Sequence, residues 1–176
     1  MSDFPGDYDL WGAGAVFSTA TALSTMNTVA PASTAWPAAN RALFIPIRVP
    51  RRVIVYKLVT GAGATATGNF DVGIYDIGGN RIIASGATAK GASVEHIINI
   101  TDTAIGPGLY YLAMSADGTN NYAMISPGGS TPVPEQKNRL AGVLQMASAY
   151  VLPSTATFAA CSTIPIPVIA AYTRYT

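Results

Sequence analysis

Two successive stretches of alternating side chains between residues 70 and 112 constrain this chain more than any other feature. The first runs Phe70-Asp-Val-Gly-Ile-Tyr-Asp76, Ile-Gly-Gly-Asn80, Arg81-Ile-Ile-Ala-Ser85. The second runs Val94-Glu-His-Ile-Ile-Asn-Ile100, a corner Thr101-Asp-Thr-Ala-Ile-Gly-Pro-Gly108, then Leu109-Tyr-Tyr-Leu112. Phe70, Val72 and Ile74 alternate with Asp71, Gly73 and Tyr75, the period of a strand with one buried face. Gly78-Gly79-Asn80 tolerates positive φ, so the chain can reverse there. The pattern predicts antiparallel sheet and leaves little room for anything else.

The same pattern extends outward. Ala42-Leu-Phe-Ile-Pro-Ile47 reads as an apolar strand whose Pro46 marks an edge or a bulge. Val53-Ile-Val-Tyr-Lys-Leu-Val59 reads as a β-branched core strand, and Asn121-Tyr-Ala-Met-Ile125 as a short one. Residues 127–138 form a Pro- and Gly-rich loop, and residues 139–149 offer one short candidate helix, weakened by Gly142. A final strand is expected over 164–172, with Pro165 and Pro167 again marking an edge. About eight strands between turn signals predict an all-β, jelly-roll-like two-sheet sandwich over residues 40–176, with an immunoglobulin-like sandwich as the second topology. Its buried face should include Val53, Val55, Phe70, Val72, Ile74, Ile98 and Leu112. Residues 1–39, rich in Ala, Ser, Thr and Gly, read as an extended N-terminal arm.

Composition narrows function. At 176 residues and 49% hydrophobic, the chain suits one domain with an ample core. Only 11% of residues are charged, against about a quarter in an average soluble domain. Uncharged surface of this extent points to coverage by partners. A formal charge of +1 supplies no field for nucleic acid or an anionic membrane. The opening Met-Ser-Asp has no basic region or apolar run of a secretory leader, so synthesis in a cytoplasm is expected. No stretch reaches the roughly 20 apolar residues of a membrane-spanning helix.

Catalytic grammar is missing from the sequence. One cysteine and one histidine cannot build a metal cluster or a disulfide. Gly61-Ala-Gly-Ala-Thr-Ala-Thr-Gly68 lacks the Lys-Ser/Thr of a phosphate loop and is followed by a strand, not a helix. His96 falls on a strand face beside Ile98 and Ile100, where a half-buried, hydrogen-bonded histidine is the ordinary outcome. Cys161 reads as a small buried residue. Asp76, Asp102 and Asp117 each stand within two residues of a Gly or Thr at strand ends, as turn-capping carboxylates do. A loop-held calcium or a paired-carboxylate hydrolase would need these acids to converge, and their spacing matches no such motif. The expectation is a non-enzyme with no catalytic residues, metal or cofactor.

Binding residues are easier to nominate. Trp11, Phe17 and Trp36 are isolated bulky anchors in the arm, suited to docking on a partner. Arg48, Arg51 and Arg52 straddle Pro50 and could pair bidentately with carboxylates. Tyr75 and Tyr111 lie on the strand phase opposite the core and could stack sugars or anchor a protein contact.

Asn40-Arg-Ala-Leu-Phe-Ile-Pro46, Gly68-Asn-Phe-Asp-Val-Gly-Ile-Tyr-Asp76 and Gly106-Pro-Gly-Leu-Tyr-Tyr-Leu-Ala113 together resemble a β-sandwich family of small virion-associated proteins of tailed bacteriophages. The resemblance covers residues 36–126, and that family supplies no catalytic residue to transfer. It implies a virion part: a capsid decoration or cement protein, a head-fibre base or a tail-associated protein. The partners it implies are copies of the chain itself, with a trimer favoured, and a phage capsid or tail protein. The alternative is a carbohydrate-binding module on a tail or fibre that meets a host glycan.

Overall fold

A computed structural model describes residues 16–18, 28–127, 141–162 and 165–175. The strands, in chain order, are β1 (Val16–Ser18), β2 (Thr28–Ala35), β3 (Ala42–Val49), β4 (Val53–Gly61), β5 (Asn69–Asp76), β6 (Arg81–Ala84) and β7 (Thr88–Ala89). They continue as β8 (Glu95–Ile105), β9 (Gly108–Ala116), β10 (Asn121–Pro127), β11 (Leu144–Met146), β12 (Ala159–Ala160), β13 (Ile166–Pro167) and β14 (Ile169–Tyr175). Every pairing between them is antiparallel. One sheet has the order β1-β14-β4-β8, and a larger one β12-β11-β3-β9-β5-β6, with β7 also on β5. A small sheet β13-β10-β2 meets the end of β4 through the bridge Ala62–Tyr122. The chain is an all-β, jelly-roll-like sandwich.

Two sheets share one core because alternation points the same phase of each strand inward. Val53, Val55 and Leu58 of β4 pack with Ile45 and Ile47 of β3, Phe70, Val72 and Ile74 of β5, and Leu112 and Met114 of β9. All the nominated core residues are buried except Ile98, which is half-buried against this cluster. Gly79 takes φ +86° in the β5–β6 turn, where its amide donates to the Asp76 carbonyl. That is the reversal the glycine pair implies. Pro46 sits where β3 loses one neighbour: β9 flanks its whole length, but β11 pairs only with Ala42, Leu43 and Phe44. A residue without an amide proton is tolerated there.

Several expectations need correction. No helix occurs among the described residues, and the segment expected as a helix holds a turn at 141–142 and then β11. Gly142 adopts φ +78°, and Leu144 and Met146 pair with Phe44 and Ala42 on β3; tertiary pairing outweighs a neutral helix propensity. The last strand is not an edge. β14 lies between β1 and β4, while Pro167 belongs to β13, the outer strand of the small sheet.

The boundary drawn at residue 39 also shifts. β2 pairs with β10 along its length, and the Phe17 backbone pairs with Ala171. Trp36, nominated as an anchor for a partner, is 1% exposed in this chain's own core. Its indole donates to the Arg41 carbonyl at 3.0 Å, and its ring meets Tyr122 edge-on at 5.4 Å. A residue so enclosed belongs to the sandwich. Replacing Trp36 with Ala should lower unfolding free energy by about 3–5 kcal/mol in urea titrations. A loss below about 1 kcal/mol would show that it is peripheral after all.

A candidate partner-binding corner on the outer sheet face

The outward phase of the larger sheet meets protein, not water, over most of its area. Phe44 and Ala42 of β3, Ala113 of β9 and Tyr75 of β5 form a second cluster with Ala149, Leu152 and Ala156. Residues 147–158 thus roof the outer face. Asp71 holds the roof down. Its carboxylate, fully buried, accepts a 3.0 Å bond from the Ser85 hydroxyl and a 3.0 Å bond from the Leu152 amide. Arg81 donates to the Leu152 carbonyl and Tyr75 to the Pro153 carbonyl.

This overturns the expectation for Tyr75, which was to be exposed for sugar or protein contact. It is buried, its ring edge-on to Phe44 at 5.2 Å. Burial pushes its hydroxyl up to about 12. Alternation correctly placed Tyr75 on the outer phase, but the roof residues Ala149, Leu152 and Ala156 hide among Ser, Thr and Pro and gave no periodic signal.

Beyond the roof the sheet is bare. Tyr111 is half-buried at the margin, 5.0 Å from the Phe158 ring. It pairs with Pro46 across to β3, and the next outward pair is Arg48 with Leu109. Residues directly opposite on antiparallel strands present side chains to the same face. Leu109 is 59% exposed, and Ile77, in the turn after β5 at the same end of the sheet, is 64% exposed. Arg48, Val49, Pro50, Pro107, Gly108 and Leu109 enclose an open depression of about 500 Å³. Arg51 and Arg52, next in the turn, are exposed.

The structure therefore gathers Arg48, Arg51, Arg52 and Tyr111 at one end of the sandwich, with Leu109, Ile77 and Pro46 as an apolar centre. Sequence reasoning missed Leu109. The signal was there: it shares its phase with Tyr111 and opposes the inward Tyr110 and Leu112. Trp11 lies outside the described residues, and Phe17 is placed by its backbone alone.

Several other titratable groups are occupied locally. Asp76 accepts bonds from the Asn80 amide at 2.8 Å and side chain at 2.9 Å, which hold its carboxyl below the usual range. Asp117 accepts both the backbone and side-chain amides of Asn69. Asp102 is exposed and paired with Arg174. His96 accepts a 3.1 Å bond from the Gly91 amide, its pKa lowered by burial and then by the charge of Lys90. No group of three metal-ligating side chains occurs among the described residues. No described helix is long and apolar enough to cross a membrane.

A second concavity, about 580 Å³, opens between the small sheet and the far end of β4. It is lined by Ala32, Ser33, Thr60, Gly61, Val94 and Glu95 among others, with no aromatic platform. Two of its hydroxyls are engaged: Thr60 donates to the Val168 carbonyl and Ser33 accepts from the Ala64 amide.

No family model matches the chain, and no curated protein matches it. Among solved structures it is similar to a carbohydrate-binding module from Cellvibrio mixtus lichenase 5A in complex with cellotriose. The identity there is 15%, over 56% of this chain and 86% of that one, with a TM-score of 0.28. It is also similar to the VP2 subviral particle of infectious bursal disease virus, at 9% identity over 83% of this chain and 40% of that one, TM-score 0.33. The Gx strain of that virus gives 10% identity over 90% and 39%, TM-score 0.33. This chain spans well under half of the viral chains. These likenesses assign no residue and no role here.

The buried Asp71 has a measurable consequence. Burial raises its pKa, against the opposing effect of its hydrogen bonds. Folding then favours the protonated form, so the stability this group contributes is complete below the unfolded carboxyl value. It is lost as pH rises through the raised folded value. Urea midpoints of the wild type should fall across that window, and Asp71→Asn should flatten the fall. Identical profiles for the two proteins would remove Asp71 as the titrating group.

Proposed function

We propose that this chain is a structural component of a tailed-phage virion. It acts as a capsid decoration or fibre-type protein and holds a shell or tail protein through the corner built on Arg48 and Leu109. The observation that carries this reading is the pairing of an exposed leucine with an arginine on a sheet face that is roofed over most of its area. An apolar centre with a charged rim is the anatomy of a protein contact, and arginine is enriched in such contacts. The arginines favour a carboxylate-bearing partner surface. The low charge of the chain and its sequence resemblance to phage virion proteins support the same role, and self-association, in the first instance as a trimer, accompanies it.

In this reading the chain is not an enzyme. Among the described residues, Asp71, Asp76, Asp117 and His96 are each engaged in a local turn or clamp and Asp102 is paired with Arg174, which supports that reading. Of the two tyrosines nominated for the glycan-binding alternative, Tyr75 is buried, and Tyr111 is half-buried beside Phe158.

The protein should sediment with purified tailed-phage particles that lack it and give a blank glycan array. Arg48→Glu with Leu109→Asp, folded as judged by circular dichroism, should weaken particle binding at least about tenfold, the equivalent of about 1.4 kcal/mol. Unchanged occupancy by this variant, or specific glycan signals that Tyr111→Ala abolishes, would overturn the reading.

A further inference from the structure

Charge is divided unevenly along this chain. Residues 1–40 hold three aspartates and no lysine or arginine, while residues 41–176 hold ten basic and six acidic side chains. The acids are Asp3, Asp7 and Asp9, interleaved with Phe4, Tyr8, Leu10 and Trp11. A segment of net charge −3 with four large apolar side chains is joined to a body of net charge +4. The basic corner described above has the complementary make-up: exposed Arg48 and Arg52 around Leu109 and Ile77. Among the described residues neither arginine has a carboxylate partner. Asp76, at the same end, is closed by Asn80, and Asp102 is paired with Arg174.

Topology aims one at the other. Val16, the first residue of β1, is opposite Tyr172 of β14. Because β1 and β14 are antiparallel, the N-terminal end of β1 lies toward the end of β14, where Tyr175 is opposite Val53. Val53 follows Arg51 and Arg52 directly. Three strand residues separate the Val16 level from that end, roughly 10 Å. The six residues between Asp9 and Val16 can span about 20 Å when extended. Reach is ample, and a tethered segment faces a high effective concentration of its own site.

We propose that the acidic, aromatic segment 3–11 docks on the Arg48/Arg52 corner of its own chain, its aspartates pairing with the guanidinium groups and its apolar side chains covering Leu109 and the depression beside it. This goes beyond the virion role and does not depend on it. It concerns what occupies the corner in the isolated protein, where it covers apolar surface on a weakly charged molecule. On a particle, the segment and the shell protein compete for one surface.

The experiment needs only the isolated full-length chain. A nitroxide is attached through Ala104→Cys, an exposed site opposite Ile54 near the corner, while the native Cys161 is buried and unreactive. Backbone amide signals of Asp7, Tyr8 and Asp9 should be broadened by the nitroxide at low protein concentration. Arg48→Glu with Arg52→Glu should abolish the broadening, as should Asp3, Asp7 and Asp9 each changed to Lys. Combining the two sets should restore it, which a merely unfolded or perturbed corner would not do. Absent broadening in the wild type, broadening indifferent to both charge reversals, or broadening seen only between isotope-labelled and nitroxide-bearing molecules in a mixed sample would overturn the proposal.

Discussion

A buried carboxylate determines which part of this sandwich is available to a partner. Asp71 gathers Ser85 and the Leu152 amide beneath residues 147–158, and Arg81 and Tyr75 fix the same segment from either side of it. The central strands β3, β9 and β5 are consequently covered on both faces, by the opposing sheet and by the roof. A charge in such a place has its desolvation opposed by hydrogen bonds and is strongly destabilising if left without them. The roof ends at Tyr111 and Phe158, and the one uncovered row beyond it is Arg48 with Leu109.

Strand alternation made the sandwich legible. Period-two patterning in β5, β8 and β9 identified the inward residues, and the glycine pair at 78–79 identified the reversal, because both follow from local geometry. What strand periodicity cannot carry is the second layer. Tyr75 and Asp71 have the phase of solvent-facing residues and become buried only through a partner segment some 80 positions away in sequence, held by hydrogen bonds with no pattern of their own. Trp36 was misassigned for a related reason. It stands in small-residue sequence that looks like an arm, yet its backbone amide donates to Asn120 and its ring fills the core beside Tyr122.

The candidate corner was half legible. Three arginines around a proline are visible as a cluster, but whether they frame anything depends on what lies across the strand. Register supplies that: Arg48 faces Leu109, and Pro46 faces Tyr111. The outward-phase leucine between glycine and tyrosine was the available clue. Edge strand β8, one of the sheet edges, is interrupted: between Val55 and Lys57 its register against β4 shifts by two residues. Irregularity of this kind blunts an edge against further strand addition. The face is thus the better-built contact.

The corner around Arg48 and Leu109 is the surface proposed to meet a partner. Hydroxyl-radical footprinting of the protein free and bound to purified virions addresses it side chain by side chain. Leu109, Pro46 and Tyr111 should lose reactivity on binding, while Ile97 and Val94 on and beside β8 keep theirs. Protection of Ile97 and Val94 with Leu109, Pro46 and Tyr111 unchanged would contradict the account and move the interface to the other sheet.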